Sequence, residues 1–160
     1  MLDDHTLAYL DVLGSGAETI AHLRENRRIV VMFCAFDGPP QILRLHGRGE
    51  VILPSDPRFA ELITRCAFED GGVPETRRTI IVIEVTRIAT SCGYGVPLMA
   101  YEGCRPHAVD WGNKKLDAGG LGALDDYQRE KNTTSIDGLP ALGRVDHTTQ
   151  APEGRLNDRP

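Results

Sequence analysis

No run of apolar residues in this 160-residue chain approaches the roughly 20 that a membrane-spanning helix needs. The start, Met1-Leu-Asp-Asp4, is acidic and leads into mixed sequence, so it lacks the basic start and apolar block of a secretory leader. A cytoplasmic protein is expected. Basic residues are outnumbered, 18 against 23 acidic, for a formal charge of −5. That balance argues against a general nucleic-acid binder, which needs a basic face to neutralise phosphates. The four cysteines, Cys34, Cys66, Cys92 and Cys104, include no C-x-x-C pair, and no histidine stands at ligand spacing to any of them. They are expected as inert thiols in a reducing compartment, with no structural metal. There is no internal repeat, no Ser-His-Asp set and no paired-carboxylate cluster.

What is present suffices for one domain with a core: 41% of residues are apolar and 26% charged. Thr6 to Leu13 reads as a strand with Gly14 as its breaker, and Ala17 to Asn26 as a short helix. Ile29 to Ala35, "IVVMFCA", is almost wholly apolar, which predicts a strand buried on both faces or lying in an interface. Asp37-Gly-Pro-Pro40 is a turn, and Gln41 to Leu53 the second strand of a hairpin, with Leu43 and Leu45 alternating with Arg44 and His46. Gly47 and Gly49 mark a bulge or sharp bend. Asp56 caps a helix entered at Pro57, whose stripe is Phe59, Leu62, Ile63 and Cys66.

After a polar loop at Glu69 to Thr76, Thr79 to Ile88 is the strongest strand signal in the chain, and Val96 to Tyr101 reads as a short last strand. Beyond Asp110 come two helical pieces and an extended docking segment, "SIDGLPAL". The domain spans 1–142. Residues 143–160 have almost nothing to bury and are expected to be disordered.

The stretch "YLDVLGSGAETI" (Tyr9 to Ile20) invites a phosphate-loop reading. Gly14-x-Gly16 follows a strand and opens a helix, and Asp37 ends the next strand, much as in a dinucleotide fold. But Thr19 stands where the third glycine belongs, and Asp37 opens a tight hairpin where a parallel sheet needs a crossover helix. No Walker lysine is present. Ser15-Gly-Ala-Glu18 also fits a capping box, Ser15 taking the Glu18 amide and Glu18 reaching back to the Ser15 amide. A helix start with free amides remains a usable anion site.

Several separated segments, in order, are similar to one family. "YLDVLGSGAETIAHLRENRRIVVMFCAF" (Tyr9 to Phe36) and "LRLHGRGEVI" (Leu43 to Ile52) resemble the pyridoxamine 5′-phosphate oxidase-like family, the FMN-binding split barrels; "IATSCGYGVP" (Ile88 to Pro97) and "SIDGLP" (Ser135 to Pro140) resemble one subgroup of it. The resemblance covers Thr6 to about Leu142. It implies a mainly β, α+β fold: an antiparallel split β-barrel with a helical C-terminal segment. It also implies a homodimer with flavin mononucleotide (FMN) in two clefts at the interface, and oxidoreductase chemistry at the flavin ring on an unidentified small molecule.

In the family a Ser-Arg-Lys run at the helix start holds the FMN phosphate. Those positions here are Ala17, Glu18 and Thr19, with Ser15 and Gly16 just before, and the basic pair is absent. The candidates for cofactor binding are therefore Ser15, Gly16, Glu18 and Thr19, with Arg44 from the next hairpin. Glu18 would repel a phosphate unless turned into the cap. The strand pair that precedes the first strand in the family has no counterpart before Thr6, so an incomplete barrel with an exposed edge at Thr6 to Leu13 is expected. The alternative is a non-catalytic split-barrel module for binding or dimerisation that has lost its flavin; deazaflavin or haem in the same cleft is a third reading. Trp111 either packs the C-terminal helices on the barrel or stacks on a cofactor, and Tyr94 is either a lid or a core anchor.

Overall fold

The segment "RRTIIVIEVTRIATS" forms β4 (Arg77–Ser91), which runs through the middle of the molecule. Its β-branched residues suit a pleated surface, and Ile80, Ile81 and Ile83 are completely buried. β4 is flanked by β1 (Thr6–Val12) on one side and β3 (Ile42–Ile52) on the other, and β3 pairs with β2 (Arg28–Cys34). All pairings are antiparallel, in the order β1-β4-β3-β2. The computed structural model describes residues 1–68 and 73–143. The tail expected at 143–160 therefore lies, but for Gly143, outside the described residues, as does part of the polar loop at 69–76.

Successive β4 side chains point to opposite faces, and each face meets a helix. Ile81 and Ile83 pack with Leu45 and with Leu23 of α1 (Glu18–Asn26). Ile80 packs with Ile52 and with Leu62 and Ile63 of α2 (Arg58–Arg65). The α2 stripe is the one the spacing predicts, with Phe59 and Cys66 at its margins. The Asp56 carboxylate accepts the Arg58 amide at 2.9 Å where that helix begins.

The β3–β4 register shifts between His46 and Gly47, placing the expected bulge. A Cβ on Gly47 would stand 2.3 Å from the Glu84 carbonyl oxygen, and one on Gly49 2.6 Å from Leu23 Cδ2. These two glycines let the sheet fold sharply and let α1 lie against its concave side. Among the described residues the result is a curled, four-stranded half-barrel with three α-helices, an α+β split-barrel architecture in which β1 and β2 are the edges.

Two expectations need correction. Of the two readings of β2, burial on both faces does not hold: Val30 and Met32 on one face and Phe33 on the other are about half exposed, because β2 is an edge strand. No strand forms at Val96 to Tyr101. The segment leaves the sheet, Pro97 brings no N–H to a ladder, and its backbone ties are single bonds from Val96 N–H to the Gly93 oxygen and from Met99 N–H to the Phe36 oxygen. Tyr94, two residues before that run, is 83% exposed and is no core anchor.

The C-terminal helix α3 (His107–Lys131) is two pieces broken at Gly119 and Gly120, where φ reaches +61° at Gly120. Trp111 meets the Tyr127 ring edge-on at 4.7 Å, so it packs the two pieces together. The chain then turns back, with an isolated bridge between Thr134 and Pro140, and buries Ala141 and Leu142 against Ala17, Ile20 and Ala21. This is the expected docking segment, seated on α1. No helix among the described residues is long and apolar enough to cross a membrane.

Candidate functional site

Two cavities meet at Thr19, one polar and one apolar. The polar one is the corner where β1 hands over to α1. Gly16 takes φ +78°, a left-handed conformation that glycine adopts without strain. The carbonyl oxygens of Gly14 and Gly16 each accept from Asn132 Nδ2 at 2.9 Å and from Arg78 Nη1, at 3.3 and 2.8 Å. Asn132, at the end of α3, is completely buried. The rest of the Arg78 guanidinium is held by Asp11, Nε to Oδ2 at 2.8 Å and Nη2 to Oδ1 at 3.0 Å, and Thr79 Oγ1 donates to the same carboxylate at 2.9 Å.

The expected capping box does not form. The N-cap is Ala17, without a side-chain hydrogen bond, because the left-handed turn at Gly16 carries Ser15 two residues outside the cap position and leaves it exposed. Glu18 instead folds back over the loop. Its Oε2 lies 2.5 Å from where a Cβ on Gly16 would be, and its Oε1 accepts the Ile136 amide at 3.2 Å. Ala17 offers no side chain to the first amides of α1, the donors a helix start leaves unbonded within the helix.

The corner encloses about 150 Å³, bordered by Asp11, Ser15, Gly16, Glu18, Thr19 and Arg78. Two carboxylates stand there against one guanidinium, which one of them already holds. Thus four of the five predicted residues, Ser15, Gly16, Glu18 and Thr19, share one cavity, and Arg44 does not line it. Arg44 lies on β3 opposite Met32 and Ala89 and donates to Ser91 Oγ at 3.2 Å. That is eight residues from Ile52, the end of β3 nearest the corner, on the order of 25 Å along a strand.

The apolar cavity, about 670 Å³, is the open side of the half-barrel. Leu7 and Tyr9 of β1 and Ile29, Val31 and Phe33 of β2 form its walls, and Thr19, His22 and Leu23 reach it from α1. Burial pushes the Tyr9 phenol above its usual range, and the charge of Asp11 acts in the same direction; the Thr19 hydroxyl and Arg78 oppose them.

A broader open groove of about 900 Å³ adjoins it, shared through His22, Arg28, Ile29 and Val30. There Arg28 and Arg48 stand directly opposite each other across the β2–β3 pair, near His46. His22 is surface-exposed and pairs with Asp137 at 3.1 Å; the Ser135 hydroxyl, and then His22, hold that carboxyl below its usual range. No cluster of His, Cys, Asp and Glu suited to a metal ion is found among the described residues.

Sequence reasoning missed Arg78 and Asn132, the two side chains that shape the corner. The signal for Arg78 was a charge at the head of an otherwise apolar strand, "RRTIIVIEV". For Asn132 no local signal existed, since its partners lie 116 and 118 residues away.

No family model matches the chain, and no solved structure matches it. A curated protein of Aspergillus flavus, described as "Pyridoxamine 5'-phosphate oxidase family protein ustO", is 38% identical over 156 residues, covering 89% of this chain. The chain spans 59% of that relative's length.

Proposed function

Since the chain belongs to the pyridoxamine 5'-phosphate oxidase family, we propose that it is a flavin-dependent oxidoreductase that holds the flavin ring in the groove between β1 and β2. The observation that carries this reading is the groove itself: an apolar slot of about 670 Å³ with Tyr9 and Thr19 at one end. Ligand sites of this kind combine apolar walls with a few placed polar groups. Leu7, Ile29 and Val31 would exclude water from the ring faces, and the Tyr9 and Thr19 hydroxyls would meet its polar edge. A bound flavin would supply hydride or electron transfer at its ring, acting on a small molecule.

The fit is good for the ring and poor for the phosphate of FMN. The corner next to the groove is small, carries an excess carboxylate and has no free cation, since Arg78 is held by Asp11. A phosphate monoester brings nearly two negative charges there.

The reading includes a homodimer. β2 is an edge strand with Val30, Met32 and Phe33 about half exposed, and Phe36 continues the patch, the composition of an interface core. It also places the protein in the cytoplasm, where its four free cysteines stay reduced. The two free edges and the acidic corner favour a second reading, a split-barrel module that binds partners without a flavin.

Lumiflavin, the ring without its side chain, separates the two. Its fluorescence should be quenched on titration with the protein, and Met32→Glu, at an exposed position on the groove wall, should weaken that quenching. Absence of quenching in the unmodified protein would favour the non-catalytic module.

A further inference from the structure

The corner has a filling of its own. Glu18 stands in the first turn of α1, where a negative charge is favoured by the helix dipole and the free amides. Its carboxylate lies over Gly16 and is tied to the Ile136 amide, so an anionic ligand group entering the loop meets a negative charge of the protein's own. The surroundings reinforce the exclusion. Arg78 is held bidentate by Asp11 and is only 8% exposed, the Gly14 and Gly16 carbonyls are held inward, and Asn132 anchors the loop from a fully buried position. A phosphate entering this corner meets two carboxylates and no uncommitted cation.

Resting on the flavin reading above, we propose that Glu18 is a specificity-determining residue that makes the site select a ring ligand with an uncharged, hydroxyl-bearing tail over its phosphorylated form: riboflavin over FMN. The tail's hydroxyls find the exposed Thr19 side chain at the shared wall of the two cavities. The phosphate finds only repulsion, and repulsion between charges exposed to solvent is screened by salt.

The test is a pair of fluorescence-quenching titrations, riboflavin and FMN, on the full chain. The unmodified protein should bind riboflavin about tenfold more tightly than FMN. Raising the salt concentration should narrow that gap by strengthening FMN binding alone. Glu18→Gln keeps the shape and an acceptor for Ile136 and should remove most of the preference. Glu18→Lys should reverse it.

Equal or tighter binding of FMN by the unmodified protein would overturn the proposal while leaving the flavin reading in place. If such binding were abolished by Arg28→Gln, the phosphate would be assigned to the adjoining Arg28–Arg48 groove, which equally overturns it. Silence from both ligands would overturn the flavin reading and this proposal with it.

Discussion

The corner and the groove share Thr19 yet are built in opposite ways. In the corner polar groups are tied across the chain: Arg78 and Asn132 donate to two carbonyls, Arg78 also to one carboxylate, and Glu18 is tied to a residue 118 positions away, with the buried Asn132 Oδ1 left without a partner. In the groove apolar side chains are left open, and both strands that wall it are free edges. A buried polar network is costly to disturb, because a partner removed leaves another buried group unpaired. An open apolar slot is cheap to alter and gains by being covered. The corner thus positions and excludes; the groove receives.

That contrast sets an order of expected effects. Asn132→Asp should be the most damaging, replacing the donor to Gly14 and Gly16 with a fully buried charge facing two carbonyls; a loss of about 3–5 kcal/mol is expected in urea denaturation. Arg78→Met leaves Asp11 with Thr79 as its partner. Because Asp11 is about one-fifth exposed, the loss should be smaller, about 2–3 kcal/mol by the same measurement.

Met32→Lys on the groove rim should change monomer stability by no more than about 0.5 kcal/mol, yet lower self-association as seen by sedimentation velocity. A stability loss as large as that of Arg78→Met would erase the contrast between the two regions.

The smallest effect is a titration. The Tyr9 phenol is raised in the folded protein, so its contribution is fully present below the ordinary tyrosine range and is lost as pH rises through the folded value. Alkaline denaturation followed by phenolate absorbance should show Tyr9→Phe to be slightly more stable than the parent only above about pH 10.

The sheet and its packing were largely legible in the sequence. Apolar and β-branched runs placed β1, β2 and β4, the alternation of Leu43 and Leu45 with Arg44 and His46 placed β3, the helical stripe of α2 was read residue by residue, and the glycines at 47 and 49 announced the bulge or bend. Those signals are local, because pleat and helix period act within a few residues.

The corner was legible as a place and misread in its wiring. Ser15 and Glu18 have the spacing of a capping box, but Gly16 adopts a left-handed turn that moves the cap to Ala17, and the amide that holds Glu18 belongs to Ile136. The run at Val96 to Tyr101 has strand composition but pairs with neither edge of the sheet, which composition alone does not reveal. Arg44 shares a hairpin with the groove strands but stands at the wrong end of β3 to reach the corner.

The division of labour between the two regions is tested most directly by mapping riboflavin onto the backbone with amide chemical-shift perturbation. The largest shifts should fall on Leu7, Tyr9, Ile29 and Val31, with Thr19 at the boundary and Gly14 and Gly16 nearly still. Large shifts at Gly14 and Gly16 with a silent groove would contradict it.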